Sequence, residues 1–181
     1  MESVYGMEIT YKDIRIRNAG PADCEQLAAW WNDGAVMAHA GFPNGLGTTP
    51  EHIREEIAGD TDDTDRRLII DYKGVPIGEM SYGNKGGNVA EIGIKICNTD
   101  YQEKGLGRTI LSMLIAELFA RGYTKIVLDT NLKNERAQHV YEVLGFHKVR
   151  VNIDSWRNQL GELQSSVDYE LVPGDFVNYA K

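Results

Sequence analysis

Between residues 89 and 120 the spacing of apolar side chains changes once, and glycines stand at the join. Ile92, Ile94 and Ile96 alternate with Glu91, Gly93, Lys95 and Cys97, the two-residue period of a strand that buries one face. Ile110, Leu111, Leu114, Ile115, Leu118 and Phe119 then recur at helical spacing. Gly122 stands where a C′ glycine ends such a helix, and residues 125–130 read as a further strand. A strand, a long amphipathic helix and another strand in succession form a crossover.

The flanking segments fit round that unit. Residues 8–17 read as a strand carrying Ile14 and Ile16, and Pro21 opens a helix to about Asn32. Residues 41–49 form a loop, after which Thr49 and Pro50 look like the N-cap and first residue of a helix to about Ala58. Residues 59–65 are a polar, acidic loop. Strands over 66–72 and 75–82 are joined by Lys73-Gly74, and residues 83–87 make a second turn. Residues 134–144 read as a helix stopped by Gly145, followed by strands over 146–153 and 163–172. The expected fold class is α/β (α+β). One mixed, mostly antiparallel twisted sheet of about seven strands has helices on both faces, in a single domain over residues 1–181.

Charge and composition exclude several classes. Lys plus Arg is 19 against 27 Asp plus Glu, a net charge of −8. Nucleic-acid phosphates need clustered cations, so no nucleic-acid partner is expected, and the balance leans toward a cationic one. Apolar runs fall short of the ~20 residues that cross a bilayer, so no membrane partner is expected. The first eleven residues lack the apolar core of a signal peptide. Cys24 and Cys97 make no disulfide framework and read as reduced thiols, which places the chain in the cytoplasm. His39, His52, His139 and His147 show no ligand spacing, so no metal is expected.

The loop Gln102-Glu103-Lys104-Gly105-Leu106-Gly107 links the clearest strand to the clearest helix. Two glycines at alternate positions let backbone N–H groups converge, and the helix adds its positive end, so a pyrophosphate fits. The same residues also suit a plain strand-to-helix turn. A dinucleotide fingerprint would need glycine where Ile110 stands, and no P-loop sequence occurs.

These residues resemble a signature of the GNAT superfamily of acetyl-CoA-dependent N-acetyltransferases, Arg/Gln-x-x-Gly-x-Gly/Ala. A second signature, Asn-x-x-Ala-x-x-x-Tyr-x-x-x-Gly-Phe, is matched in order by Asn134, Ala137, Tyr141, Gly145 and Phe146. The stretch Trp30-Trp31-Asn32-Asp33 is similar to the subgroup holding ribosomal-protein N-terminal and some aminoglycoside acetyltransferases. The resemblance implies acetyl-CoA as co-substrate. Backbone groups at Ile94, Ile96 and Cys97 would pair with the pantetheine arm. The loop and first helical turn (Gln102, Glu103, Lys104, Gly105, Leu106, Gly107, Arg108, Thr109) would hold the pyrophosphate, and Asn134 and Ala137 would meet the pantetheine. Tyr141 would protonate the departing thiolate, and an N–H at a β-bulge of the central strand would polarise the carbonyl.

Each role has a structural counterpart. Tyr141 also suits a core aromatic, Asn134 a helix N-cap and Cys97 a buried structural thiol. Glu91 is the first candidate base and Glu79 the second, although glutamate is most often a surface residue. The adjacent Trp30 and Trp31 point about 100° apart, so at most one faces any partner. The expected function is acetyl transfer to a primary amine by direct attack. The acceptor is a protein N-terminus, a polyamine, an aminoglycoside or a metabolite. A non-catalytic CoA-binding module and a nucleotide-binding nest are the rival readings, and a homodimer stays open.

Overall fold

The structure is a computed structural model that describes residues 6–181. Residues 1–5, part of the N-terminal stretch read above, lie outside the described residues. The sheet is organised around β3 (Asp65–Tyr72), whose Leu68, Ile69 and Ile70 are all fully buried. A continuous apolar run of this kind needs cover on both faces. Leu68 and Ile70 lie in the larger core with Ile110, Leu114 and Leu118 of α4 (Leu106–Ala120) and Tyr141 of α5 (Glu135–Val143). Ile69 points the other way, into a smaller core with Leu27, Ala28 and Trp30 of α1 (Cys24–Trp31) and Ile53 of α3 (Pro50–Ala58). Truncating a side chain as enclosed as Leu114 to alanine costs about 2–5 kcal/mol.

Eight strands form one sheet in the order β1-β2-β3-β4-β5-β6-β8-β7. The eighth strand arises because residues 8–17 are a hairpin rather than one strand. β1 (Glu8–Tyr11) pairs antiparallel with β2 (Ile14–Asn18), and Lys12 takes a positive φ of 52° to make the turn. β4 (Val75–Asn84) and β5 (Val89–Ile96) complete the antiparallel meander. β6 (Lys125–Asn131) returns through α4 and is parallel to β5, while β7 (His147–Arg157) and β8 (Leu163–Leu171) close the far edge. A short helix, α2 (Gly34–Met37), follows α1. The mixed, mostly antiparallel α/β class with helices on both faces therefore holds, with one more strand than expected.

The parallel pair positions the site. β5 and β6 register only from Val89↔Lys125 to Glu91↔Val127. Beyond that point β5 runs on to Ile96 and β6 to Asn131 without pairing with each other, so the sheet splits into a wedge. The β5 edge from Ile92 onward presents backbone groups to the wedge instead of to a neighbouring strand. β4 and β5 pair without a register shift, so the β-bulge expected on the central strand is absent along that ladder. Its place as an opening is taken by the divergence from β6.

Candidate active site

The wedge opens into a cleft of about 1470 Å³. α4 starts at its mouth, and how that helix starts decides what it can bind. The side chains of Asp33, Thr49 and Asn134 cap α2, α3 and α5. α4 is the longest of these helices, yet its N-cap is Gly105 at φ 74°, with no side chain to offer and no acidic residue in the first turn. Its first N–H groups are left without an intrahelical partner and lie at the positive end of 15 aligned peptide dipoles. Such an end is a site for an anion.

Gly107 sharpens this. Its φ is ordinary, and a Cβ built on it meets nothing within 4 Å. Neither backbone strain nor packing demands glycine there, although glycine weakens a helix by about 1 kcal/mol relative to alanine. The residue keeps open a space that lines the cleft. Gln102 holds the loop to the sheet, its Nε2 donating to the Ile96 carbonyl at 2.8 Å. Glu103 carries the turn at φ 60° and pairs with Arg136 of α5 across the mouth. The Arg108 guanidinium sits 4.9 Å from the centre of the Tyr179 ring.

The cleft brings together Ile94, Ile96, Gln102, Glu103, Gly105, Leu106, Gly107, Arg108, Asn134, Ala137, Tyr141 and Glu79. Lys104, Thr109, Cys97 and Glu91 do not line it. Cys97 faces the smaller core with Ile69, and its thiol donates to the Lys95 carbonyl at 3.6 Å. Burial, reinforced by the Glu79 charge, pushes that thiol up to about 12. Glu91 shares the sheet face of Glu79 but is exposed beside Val127, where β5 and β6 are still paired. Asn134 caps α5, its Oδ1 accepting from the Ala137 N–H at 3.2 Å, while also lining the cleft.

Tyr141 reaches the cleft from α5 and is 7 % exposed. Phe146 and Tyr169 hold its ring, at centroid distances of 5.8 and 5.7 Å. Among the described residues its hydroxyl makes no hydrogen bond. Burial, with the nearby Asp129 and Tyr169, raises its pKa to about 12, so the phenol stays protonated across neutral pH.

Of the carboxylates lining the cleft, Glu103 and Glu135 belong to the α4 loop and α5, and two stand on the sheet. Glu79 lies opposite Lys95 in the β4–β5 register and accepts long contacts of 3.4 Å from Lys95 Nζ and Trp31 Nε1. Trp30, one residue earlier, is in the smaller core. The second carboxylate is Asp129 of β6, which the sequence reading passed over. Its signal was an acid alternating with the buried Ile126 and Leu128 on a strand that follows the crossover helix. Asp129 is itself exposed, at the cleft, where partial burial and then the neighbouring Asp168 hold its pKa above the usual carboxylate range. Strand alternation from the Glu91↔Val127 pair puts Asp129 on the same sheet face as Glu79. Among the described residues no three His, Cys, Asp or Glu are grouped to hold a metal ion, and no helix is long and apolar enough to cross a membrane.

A model of the acetyltransferase (GNAT) family matches residues 31–146, which include the split strands, the α4 loop and α5. The chain belongs to the GNAT family. It is 42% identical over 52 residues to the [ribosomal protein bS18]-alanine N-acetyltransferase of Escherichia coli strain K12, a match spanning 29% of this chain and 35% of that relative. The chain thus covers about a third of that relative's length. Among solved structures it resembles a probable acetyltransferase, with TM-score 0.80 and 23% identity over 94% of this chain and 99% of the other. It also resembles the spermidine N-acetyltransferase of Vibrio cholerae solved with CoA and spermine. There the TM-score is 0.79 at 21% identity, covering 92% of this chain and 99% of that one. At these identities the structural likenesses establish the fold.

Proposed function

We propose that the chain is an acetyl-CoA-dependent N-acetyltransferase that acts on a primary amine by direct attack within a ternary complex. The observation that carries this reading is the uncapped, glycine-opened N-terminus of α4 at the mouth of the split between β5 and β6. The split exposes strand edge to an extended amide-bearing arm, and the helix end faces a diphosphate. The residues present fit acetyl-CoA, which supplies the activated acetyl group. The N–H groups from Gly105 to Arg108 hold the pyrophosphate, and Gly107 leaves it room. The free edge of β5 from Ile92 to Ile96 pairs with the pantetheine amides.

On the opposite sheet face, Glu79 and Asp129 receive the amine. Asp129 accepts a proton from the incoming ammonium directly or through water, with Glu79 as the second acceptor. Glu91, exposed outside the cleft, has no part in this scheme. Tyr141 donates its hydroxyl proton to the departing sulfur. A phenol near 12 is a weak acid beside a solvated thiol near 8.5, and full transfer across that gap is uphill by about 5 kcal/mol. A sulfur departing into a desolvated part of the wedge would narrow that gap, because burial raises a thiol's pKa.

Calorimetry with acetyl-CoA, CoA and ATP, joined to a CoA-release screen over primary amines, tests the reading. Binding of acetyl-CoA and CoA but not ATP, with amine-dependent CoA release, is expected. Preference for ATP overturns the reading. Tight CoA binding with no turnover of any amine would favour a non-catalytic CoA-binding module.

A further inference from the structure

The amine side of the cleft has two lips from distant parts of the chain. One is α2 and the turn after it, where Val36, His39 and Ala40 line the cleft. The other is the β7–β8 hairpin, which contributes Trp156. Gln159, at the hairpin tip, joins them. Its backbone N–H donates to the Gly41 carbonyl at 2.7 Å. Its Oε1 accepts from the Asn44 N–H at 2.9 Å, and its Nε2 donates to the Gly45 carbonyl at 2.9 Å. One carboxamide thus uses both its acceptor and its donor on the opposite lip.

The contact is fitted as well as bonded. Gly41 has φ 99°, and a Cβ built there would stand 2.4 Å from the Trp156 ring. Each lip is also braced internally. Leu46 N–H donates to the Trp31 carbonyl at 2.8 Å, and Asn32 exchanges two hydrogen bonds with the Thr48 backbone. Across the gap, Asn158 Oδ1 accepts from the N–H groups of Leu160 and Glu162. These bonds hold the shape of each lip, and the Gln159 contacts hold the two lips together before any acceptor arrives.

We infer that Gln159 is a positioning residue that latches these lips, so that a slender, unbranched cationic amine reaches Glu79 and Asp129 while branched or bulky amines are held out. This rests on the acetyltransferase reading above and adds the class of acceptor. Trp156 and Val36 offer apolar walls to an alkyl chain; Asp129 offers its ammonium a counter-charge, and Glu79, which already faces Lys95 Nζ at 3.4 Å, adds a second acceptor.

The test compares kcat/KM for 1,4-diaminobutane and for kanamycin in wild type, Gln159→Ala and Gln159→Glu, with thermal melting to confirm folding. Wild type is expected to favour the diamine at least 100-fold. Both variants are expected to narrow that ratio at least tenfold, through a lower KM for kanamycin and with KM for acetyl-CoA unchanged. Equal use of both amines by wild type overturns the latch, and so does an unchanged ratio in folded variants. If no amine is turned over although acetyl-CoA binds, it is the acetyltransferase reading that falls, and the latch falls with it.

Discussion

Tyr141→Phe separates a catalytic phenol from a core aromatic by sign as well as size. The hydroxyl makes no hydrogen bond among the described residues, and the ring is held by Phe146 and Tyr169. Removing it leaves no partner unpaired and relieves a desolvated polar atom. Folding stability should therefore change by less than about 1 kcal/mol, toward greater stability. Loss of a positioned acid slows a reaction by roughly 10²–10⁴, equivalent to about 3–5 kcal/mol of barrier. The pKa adds a second signature. Because the unfolded tyrosine ionises from pH 10 and the folded one only near 12, stability keeps its full value below pH 10 and falls as pH rises from there through 12. Two pK steps correspond to about 2.7 kcal/mol in full, of which about half is lost by pH 11, and the phenylalanine variant should lack that share. Paired urea melts at pH 8 and pH 11, with kcat and KM for acetyl-CoA, make the assay. Wild-type kcat in the variant would refute the role of the hydroxyl. A fall in stability of 2 kcal/mol or more at pH 8 would refute the claim that it has no partner.

Gly107→Leu places a good helix former in open space, so the melting temperature should hold or rise. Acetyl-CoA affinity should fall roughly 10- to 100-fold, the worth of one or two charge-assisted hydrogen bonds, as calorimetry can read. Asp129→Asn should raise stability at pH 7 while lowering kcat. A carboxylate whose folded pKa is raised loses stability as pH climbs through it, and the asparagine escapes that loss; melts at pH 4 and 7 check the sign. Arg17 bridges Asp23 at 2.9 Å and Asp71 at 2.7 Å, both largely buried. Arg17→Ala strands the Asp23 carboxylate, leaves Asp71 only a 4.0 Å contact with Arg15, and should cost about 3–5 kcal/mol in a denaturant melt. Burial works against ionising Asp23, but Arg17 and the Gly20 N–H outweigh it and bring its pKa below the usual value. Wild type should therefore lose stability as pH falls below about 4, and Asp23→Asn should flatten that loss.

Local periodicity and turn chemistry determined most of the architecture before any tertiary contact was considered. The alternation of Ile92, Ile94 and Ile96, the α4 stripe and the Thr49-Pro50 helix start are written in neighbouring residues, and the structure contains all three. The glycines of the α4 loop and the Asn134–Phe146 spacing named the family for the same reason. What the sequence could not show depends on where strands stop pairing and on which distant loops meet. The split of β5 from β6 after Glu91 leaves that residue outside the cleft and brings in Asp129, although both are carboxylates on strands. The Gln159 latch joins segments more than a hundred residues apart. Hydrogen bonds between remote backbones carry no local pattern, so only the folded chain decides which acids line the cleft and which loops meet at its mouth.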